Sequence, residues 1–342
     1  RPFNCIGIPL MLYNSAFLHF KMNFNDKGLF MDKNHYRWTM NCIKAMSNFY
    51  SDKKSRQQEF NKRLQDLFDE NVIVQSDDNT SNDGYITLQV HSYTVLCLLI
   101  EIKNEIGTGR CDPTTQAAAF YAKFYAHEEY EKALKMCNMP CFIIGLAGPW
   151  ICVLGAVYVE KPLIEPLTCF EPLIFINDRI HLEKIAQLFM ALRMGCDDLK
   201  KYYGSLSNST VDPQRFFPYV RKVANVGDFV YKEKLFNDPL KLLWKAETKD
   251  GQKIIVKFSQ KDNQYAHEIC YEIGKAPTLL FVSEMINGFC MIIMGYVEGQ
   301  RLCDCDYLDI SEYEKIINEI ENAILHLHSK NIVFADLRDF GY

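Results

Sequence analysis

Apolar residues recur at helical spacing over residues 36–50 and again over 51–70, where Phe60, Leu64, Leu67 and Phe68 fall on one face. Ser51 is placed to cap the second helix. A polar loop, 71–82, then gives way to two strand-length runs, 85–90 and 95–103, joined by a short connection at 91–93. After a Gly-rich loop at 107–111, Asp112 and Pro113 mark a helix start, Asp as N-cap and Pro at the first helical position. That helix is expected to reach about residue 136. Residues 136–159 carry no charge and are long enough to span a bilayer. Gly148-Pro149 divides them into two Ile/Val-rich pieces, 141–147 and 151–159, so two buried strands joined by a turn fit better. A helix over 178–203 follows.

The polar stretch SLSNSTVDPQ (205–214) is the best domain boundary. Beyond it the pattern is strand-rich: 229–236, 242–248 and 253–258, with Asp250-Gly251 as a hairpin signal. A helix at 264–274, strands at 279–283 and 289–295, and a helix at 311–329 complete the reading. The expected organisation is an α/β domain over 1–205, a linker over 206–220 and a second domain over 221–342.

Composition narrows the class. The 342 residues are 48% hydrophobic and 24% charged, a globular rather than disordered balance. Formal net charge is −5, with 22 Lys+Arg against 23 Asp+Glu over 1–205 and 16 against 20 over the remainder. No global basic field marks a polyanion binder, so nucleic-acid affinity would have to come from a local patch or a bound metal. The 13 cysteines are scattered, and neither Cys137/Cys141 nor Cys303/Cys305 matches a zinc-ligand spacing with a second pair nearby. They read as reduced thiols of an intracellular protein, with no signal peptide apparent and no membrane partner expected.

The chemistry concentrates between residues 83 and 121. Glu101 and Lys103, in LLIEIKNE, point to one face of their strand, while Leu98, Ile100 and Ile102 point to the other. Setting a carboxylate and an ammonium on a buried strand costs desolvation, which makes sense if that face opens onto a site. If the two strands pair as a hairpin, Asp83 returns beside Glu101 and Lys103. Asp83 and Glu101 could then hold Mg²⁺ (or Mn²⁺), with Lys103 assisting the attacking water. Gln116, in the first turn of the next helix, shares a face with Phe120, Lys123 and His127. Gln116 would support the site, Lys123 would reach a phosphate, and Arg110 in the loop could clamp one. A bland reading stands beside this: Glu-x-Lys on a strand is often a solvated face. The aromatic run Phe120, Tyr121, Phe124, Tyr125 reads as core before it reads as a base-stacking surface, and Glu59 as a surface charge before a further ligand.

Residues 83–121 resemble the PD-(D/E)xK nuclease superfamily, including a Gln-x-x-x-aromatic element at Gln116 and Phe120. IEIKNEIGTG, the Asp-Pro-x-x-Gln helix start and IGLAGPWICVLGAVYVEKPLIEPLT resemble fungal Crinkler-type effectors, in which a restriction-endonuclease-like domain is fused to a protein-kinase-like domain. The resemblance implies a mixed sheet flanked by helices, action on nucleic acid (DNA before RNA), and a role in the nucleus of a host cell. In the second half, GQKIIVKF resembles the kinase strand whose lysine contacts ATP phosphates, here Lys257. Glu268 matches its glutamate partner, MGYVEG the hinge, and LHSKNIVFADLR the catalytic loop with Asp336 as base. There is no Gly-x-Gly-x-x-Gly, Gly341 stands where a metal-binding asparagine belongs, and Asp339-Phe340-Gly341 follows Asp336 too closely. The resemblance therefore implies a partial kinase-like N-lobe with no active phosphotransfer. Three readings remain open: a Mg²⁺-dependent nuclease, a kinase-like phosphotransferase or ATP-binding pseudokinase on an inactive nuclease-like scaffold, and a non-catalytic effector or interaction protein.

Overall fold

The computed structural model describes residues 8–74, 76–77, 80–109, 111–206, 211–238, 241–286, 288–300, 302, 305 and 309–334. The chain is mixed α/β and divides into two compact units, Arg1–Tyr219 and Val220–Tyr342.

The first unit opens with helices α1 (Leu10–Tyr13), α2 (Ser15–Asn25), α3 (Lys33–Met46) and α4 (Lys53–Phe68). Asp52, not Ser51, caps α4: its carboxylate accepts the Ser55 N–H, and the Ser51 hydroxyl only supports that carboxylate. Phe60, Leu64, Leu67 and Phe68 are buried, as the spacing requires. Within the loop expected at 71–82, two short strands pair, β1 (Ser76–Asp77) and β2 (Thr80–Ser81).

β3 (Gly84–Val90) and β4 (Tyr93–Lys103) form an antiparallel hairpin turned at His91, whose φ is +57°. The register skips Cys97, so a bulge separates the two ends of the ladder. α5 (Pro113–Tyr125) carries the chain across to β5 (Cys141–Ala147), which pairs parallel to β4. β6 (Trp150–Tyr158) and β7 (Pro162–Pro166) extend the sheet antiparallel, and β8 (Glu171–Pro172) pairs with β6. Main-path strand order is β3-β4-β5-β6-β7. The uncharged stretch is thus a strand pair around Gly148, and no helix among the described residues is long and apolar enough to cross a membrane.

α5 stops earlier than periodicity suggests. After Ala126 the backbone turns extended at His127, then returns through a short 3₁₀ turn and α6 (Ala133–Met136). The fold-back buries Tyr130 against Phe124 and Tyr125, at ring distances of 5.0 and 5.2 Å, and its hydroxyl donates to the Thr94 carbonyl at 2.9 Å. His127 consequently leaves the helical face it was expected to share with Gln116. The sheet is covered on both sides. α7 (Arg179–Gly204) lies across one, with Gly195 against the Phe142 ring, while Pro113 and Thr114 at the start of α5 lie over Gly145 on the other.

The second unit holds one antiparallel sheet of order β13-β14-β12-β11-β10-β9. Its strands are β9 (Lys222–Val223), β10 (Gly227–Lys234), β11 (Leu243–Thr248), β12 (Lys253–Ser259), β13 (Leu279–Val282) and β14 (Cys290–Gly295). α8 (Gln264–Glu272) follows β12, and α9 (Ile310–Ser329) begins with a reciprocal Asp309–Glu312 capping box. Trp244, edge-on to both Tyr231 and Phe258, anchors the core. Gly251 takes φ +80° in the turn predicted at Asp250-Gly251.

Candidate active site

The hairpin brings Asp83 to the end of β4. Gly84 pairs with Ile100, and the Asp83 carboxylate accepts the Ile102 N–H at 2.7 Å. Its backbone carbonyl is held by the Gln57 and Asn61 side-chain amides, at 2.8 and 2.7 Å. Glu101 and Lys103 lie beside it, on the face of β4 toward which α5 packs. The Lys103 ammonium is 3.5 Å from Glu101 Oε1 and donates to Gln116 Oε1. Asp83, Glu101, Lys103 and Gln116 are therefore neighbours, as their spacing predicts.

The site differs from the sequence reading in being closed. Asp83, Glu101 and Lys103 are 5, 1 and 5% exposed. A fourth charge explains how two acids tolerate this: Lys53, in the first turn of α4, places its ammonium 2.7 Å from Asp83 Oδ2 and 3.4 Å from Glu101 Oε1. Its side chain remains 38% exposed, so it roofs the acids from the solvent side. Two buried carboxylates need a nearby cation, and here an ammonium supplies it.

Glu101 is the most perturbed member. Burial, then the Asp83 carboxylate beside it, push its pKa up to about 8, against opposing pulls from Lys53 and Lys103. Its Oε2 is buried with no hydrogen-bond donor in reach. Asp83 can satisfy Glu101 only through a proton held between the two acids. An orphaned hard oxygen beside a second carboxylate also suits a divalent cation that retains several waters. Among the described residues no group of three or more His, Cys, Asp or Glu side chains is arranged to hold a metal, so any such cation would rest on these two acids alone.

Lys53, Gln57 and Asn61, which the sequence reading passed over, carry a legible signal: they recur every four residues and so share one face of α4. Glu59, weighed instead, turns away and pairs with Arg63 at 2.6 Å. Arg56 is also part of the surround, 1% exposed, donating to the Met46 carbonyl and pairing with Glu105 at 2.9 Å.

A cavity of about 630 Å³ begins at Lys103 and is bounded by the 105–108 loop, the start of α5, Trp150 and Phe170. Gly107 and Gly109 in that loop have φ of +80° and +76°, which only glycine adopts without strain. A second hollow of about 890 Å³, between α3 and α4, touches none of the four predicted site residues. Lys123 is exposed near the end of α5, and Arg110 lies outside the described residues. Tyr121 and Tyr125 are core: Tyr121 donates to the Met139 carbonyl, and the Tyr125 hydroxyl accepts the Leu96 N–H.

In the second unit the expected pair does not form. Lys257 binds Asp262 at 2.9 Å, while Glu268 accepts from Gln264 at 2.8 Å. An acid five residues along the chain reaches Lys257 more cheaply than one on α8. Asp336 lies outside the described residues, as do Asp339, Phe340 and Gly341.

No family model matches the chain, and neither a curated protein nor a solved structure does.

Proposed function

We propose that the first unit is a divalent-metal-dependent hydrolase of nucleic-acid phosphodiester bonds, with the restriction-endonuclease-like frame that the resemblance implies. One observation carries the reading: two acids, an ammonium and an amide from three separate places in the chain converge, leaving one buried carboxylate oxygen with no donor. The order of the frame also supports it, a hairpin followed by a helical crossover to a parallel strand.

Asp83 and Glu101 would hold Mg²⁺ or Mn²⁺. Bound there, the cation would neutralise charge at the scissile phosphate and act as a Lewis acid. Lys103 is a residue of the cavity lining, and its ammonium would stabilise charge building on phosphate oxygens. Gln116 fixes that ammonium, and Gln57 with Asn61 fix the backbone beneath Asp83. Lys53 balances the acids until a cation takes its place. DNA is preferred to RNA as substrate, and a nuclear setting follows from the Crinkler-type resemblance. The antiparallel sheet with α8 after β12 supports a kinase-like N-lobe for the second unit. With Lys257 and Glu268 engaged elsewhere, we assign it neither ATP turnover nor a part in cleavage.

Single-stranded circular DNA, and supercoiled plasmid where torsion unpairs its bases, should be cut in the presence of Mg²⁺, and EDTA should stop this. Lys103→Ala should lower the rate by on the order of a hundredfold or more. Background rates from the parent in both Mg²⁺ and Mn²⁺, or a variant as fast as the parent, would end the proposal.

A further inference from the structure

The cavity beside Lys103 has a character the hydrolytic residues do not account for. Its volume, about 630 Å³, is in the range of pockets that enclose small organic ligands. Two aromatic side chains line it. Trp150 opens β6 directly after the turn in which the Gly148 N–H donates to the Lys103 carbonyl at 3.0 Å, so its position is tied to the catalytic strand. Phe170, 42% exposed, stands with it. Among the described residues neither ring packs against another aromatic ring. The acids on the wall are already engaged: Glu105 Oε1 holds Arg56 at 2.9 Å, and Asp112 Oδ1 accepts the Thr114 and Thr115 N–H groups. What remains of the lining is largely apolar, with Ile106, Pro113 and Ala147 joining the two rings, and Lys103 is part of the same wall.

Resting on the phosphodiesterase reading, we infer that this cavity receives one unpaired nucleobase of a single-stranded nucleic acid, stacked on Trp150 and Phe170 with its adjoining phosphate toward Lys103. A flat, weakly polar ligand with an anion attached matches a lining that holds two aromatic rings and, among the described residues, one lysine. Bases inside a duplex are stacked on their neighbours and cannot enter unless extruded. Base–aromatic stacking is tolerant of sequence and strong enough to orient a strand. The substrate class is therefore single-stranded nucleic acid, with the base fixing which phosphate meets the acids.

The test titrates the full chain in EDTA with thymidine and uridine decamers and with a thymidine–adenosine duplex. Binding is read by tryptophan fluorescence and by alkylation at Cys111, an exposed thiol on the cavity wall. Decamers should quench the fluorescence and slow alkylation at Cys111, and the duplex should do neither. Preference between the decamers reports the sugar; protection by either supports the inference. Trp150→Ala should weaken decamer binding roughly tenfold or more. Should that variant fold poorly, Phe170→Ala, at an exposed position, should weaken it in the same direction. Unaltered alkylation with both decamers, parent-like binding by both variants, or equal protection by the duplex overturns the inference. Because EDTA removes cleavage from the readout, the two ideas fail separately. Lys103-dependent cutting without base binding leaves the hydrolase and removes the pocket; base binding without cutting does the reverse.

Discussion

Glu101 concentrates the conflict between stability and function. Its carboxyl is buried and faces another acid, so the metal-free fold favours its protonated form up to about pH 8, against an ordinary value of 4.5. Between those values the folded chain holds a proton at Glu101 that the unfolded chain has released, so the contribution of Glu101 to stability falls as the pH rises. The contribution is fully present below the unfolded value and lost as pH rises through the folded one. In EDTA, the melting temperature of the parent relative to that of Glu101→Gln should therefore fall from pH 5 to pH 8. Parallel curves would show that Glu101 ionises as freely in the fold as in the unfolded chain. The same variant should be inactive, which is the usual relation between a strained polar site and its function. At this scale the sequence was informative about charge pairing only where strand alternation sets direction. Asp83, Glu101 and Lys103 follow from β-geometry, while Lys53 arrives from α4 by tertiary packing. Glu59 shows the cost of choosing a helical residue without its face: it belongs to the Arg63 side.

Among elements, the strands and the start of α5 were the legible parts, while the cap of α4 fell one residue later than expected. The β5–β6 pair follows from the Gly148-Pro149 break, and the Asp112-Pro113 start of α5 from capping chemistry. Ends set by tertiary contacts were not legible: α5 stops at Tyr125 because burying Tyr130 outweighs continuing the helix. The parallel register of β4 and β5 was equally hidden, since each strand is buried on both faces and neither alternates. α7 supplies a test of this packing. A Cβ at Gly195 would lie 2.6 Å from the Phe142 ring, which is fully buried and has no room to withdraw. Gly195→Ala should thus destabilise the first unit by roughly 1–3 kcal/mol despite alanine's better helix propensity, seen as a lower denaturation midpoint. A midpoint equal to or above the parent's would mean that α7 does not sit as close to β5 as described.

For the whole molecule, all four proposed hydrolytic groups fall in Arg1–Tyr219, while Lys257 and Glu268 fall in Val220–Tyr342. Cleavage should therefore be indifferent to Lys257→Ala, with rates within about twofold of the parent, a shift of a few tenths of a kcal/mol in barrier. A large loss in that variant would tie the second unit to the reaction. The near-neutral charge of both halves has a further consequence at this scale. With no basic field to gather a polyanion, the acids cannot act on phosphate without a cation between them. The most direct test of the account is therefore to count Mn²⁺ bound to the full chain by electron paramagnetic resonance at pH 8. The parent should bind one ion per chain, and Asp83→Asn and Glu101→Gln should each abolish binding while remaining folded. No bound ion in the parent, or a bound ion indifferent to both substitutions, would contradict the central claim that these two acids form a metal site.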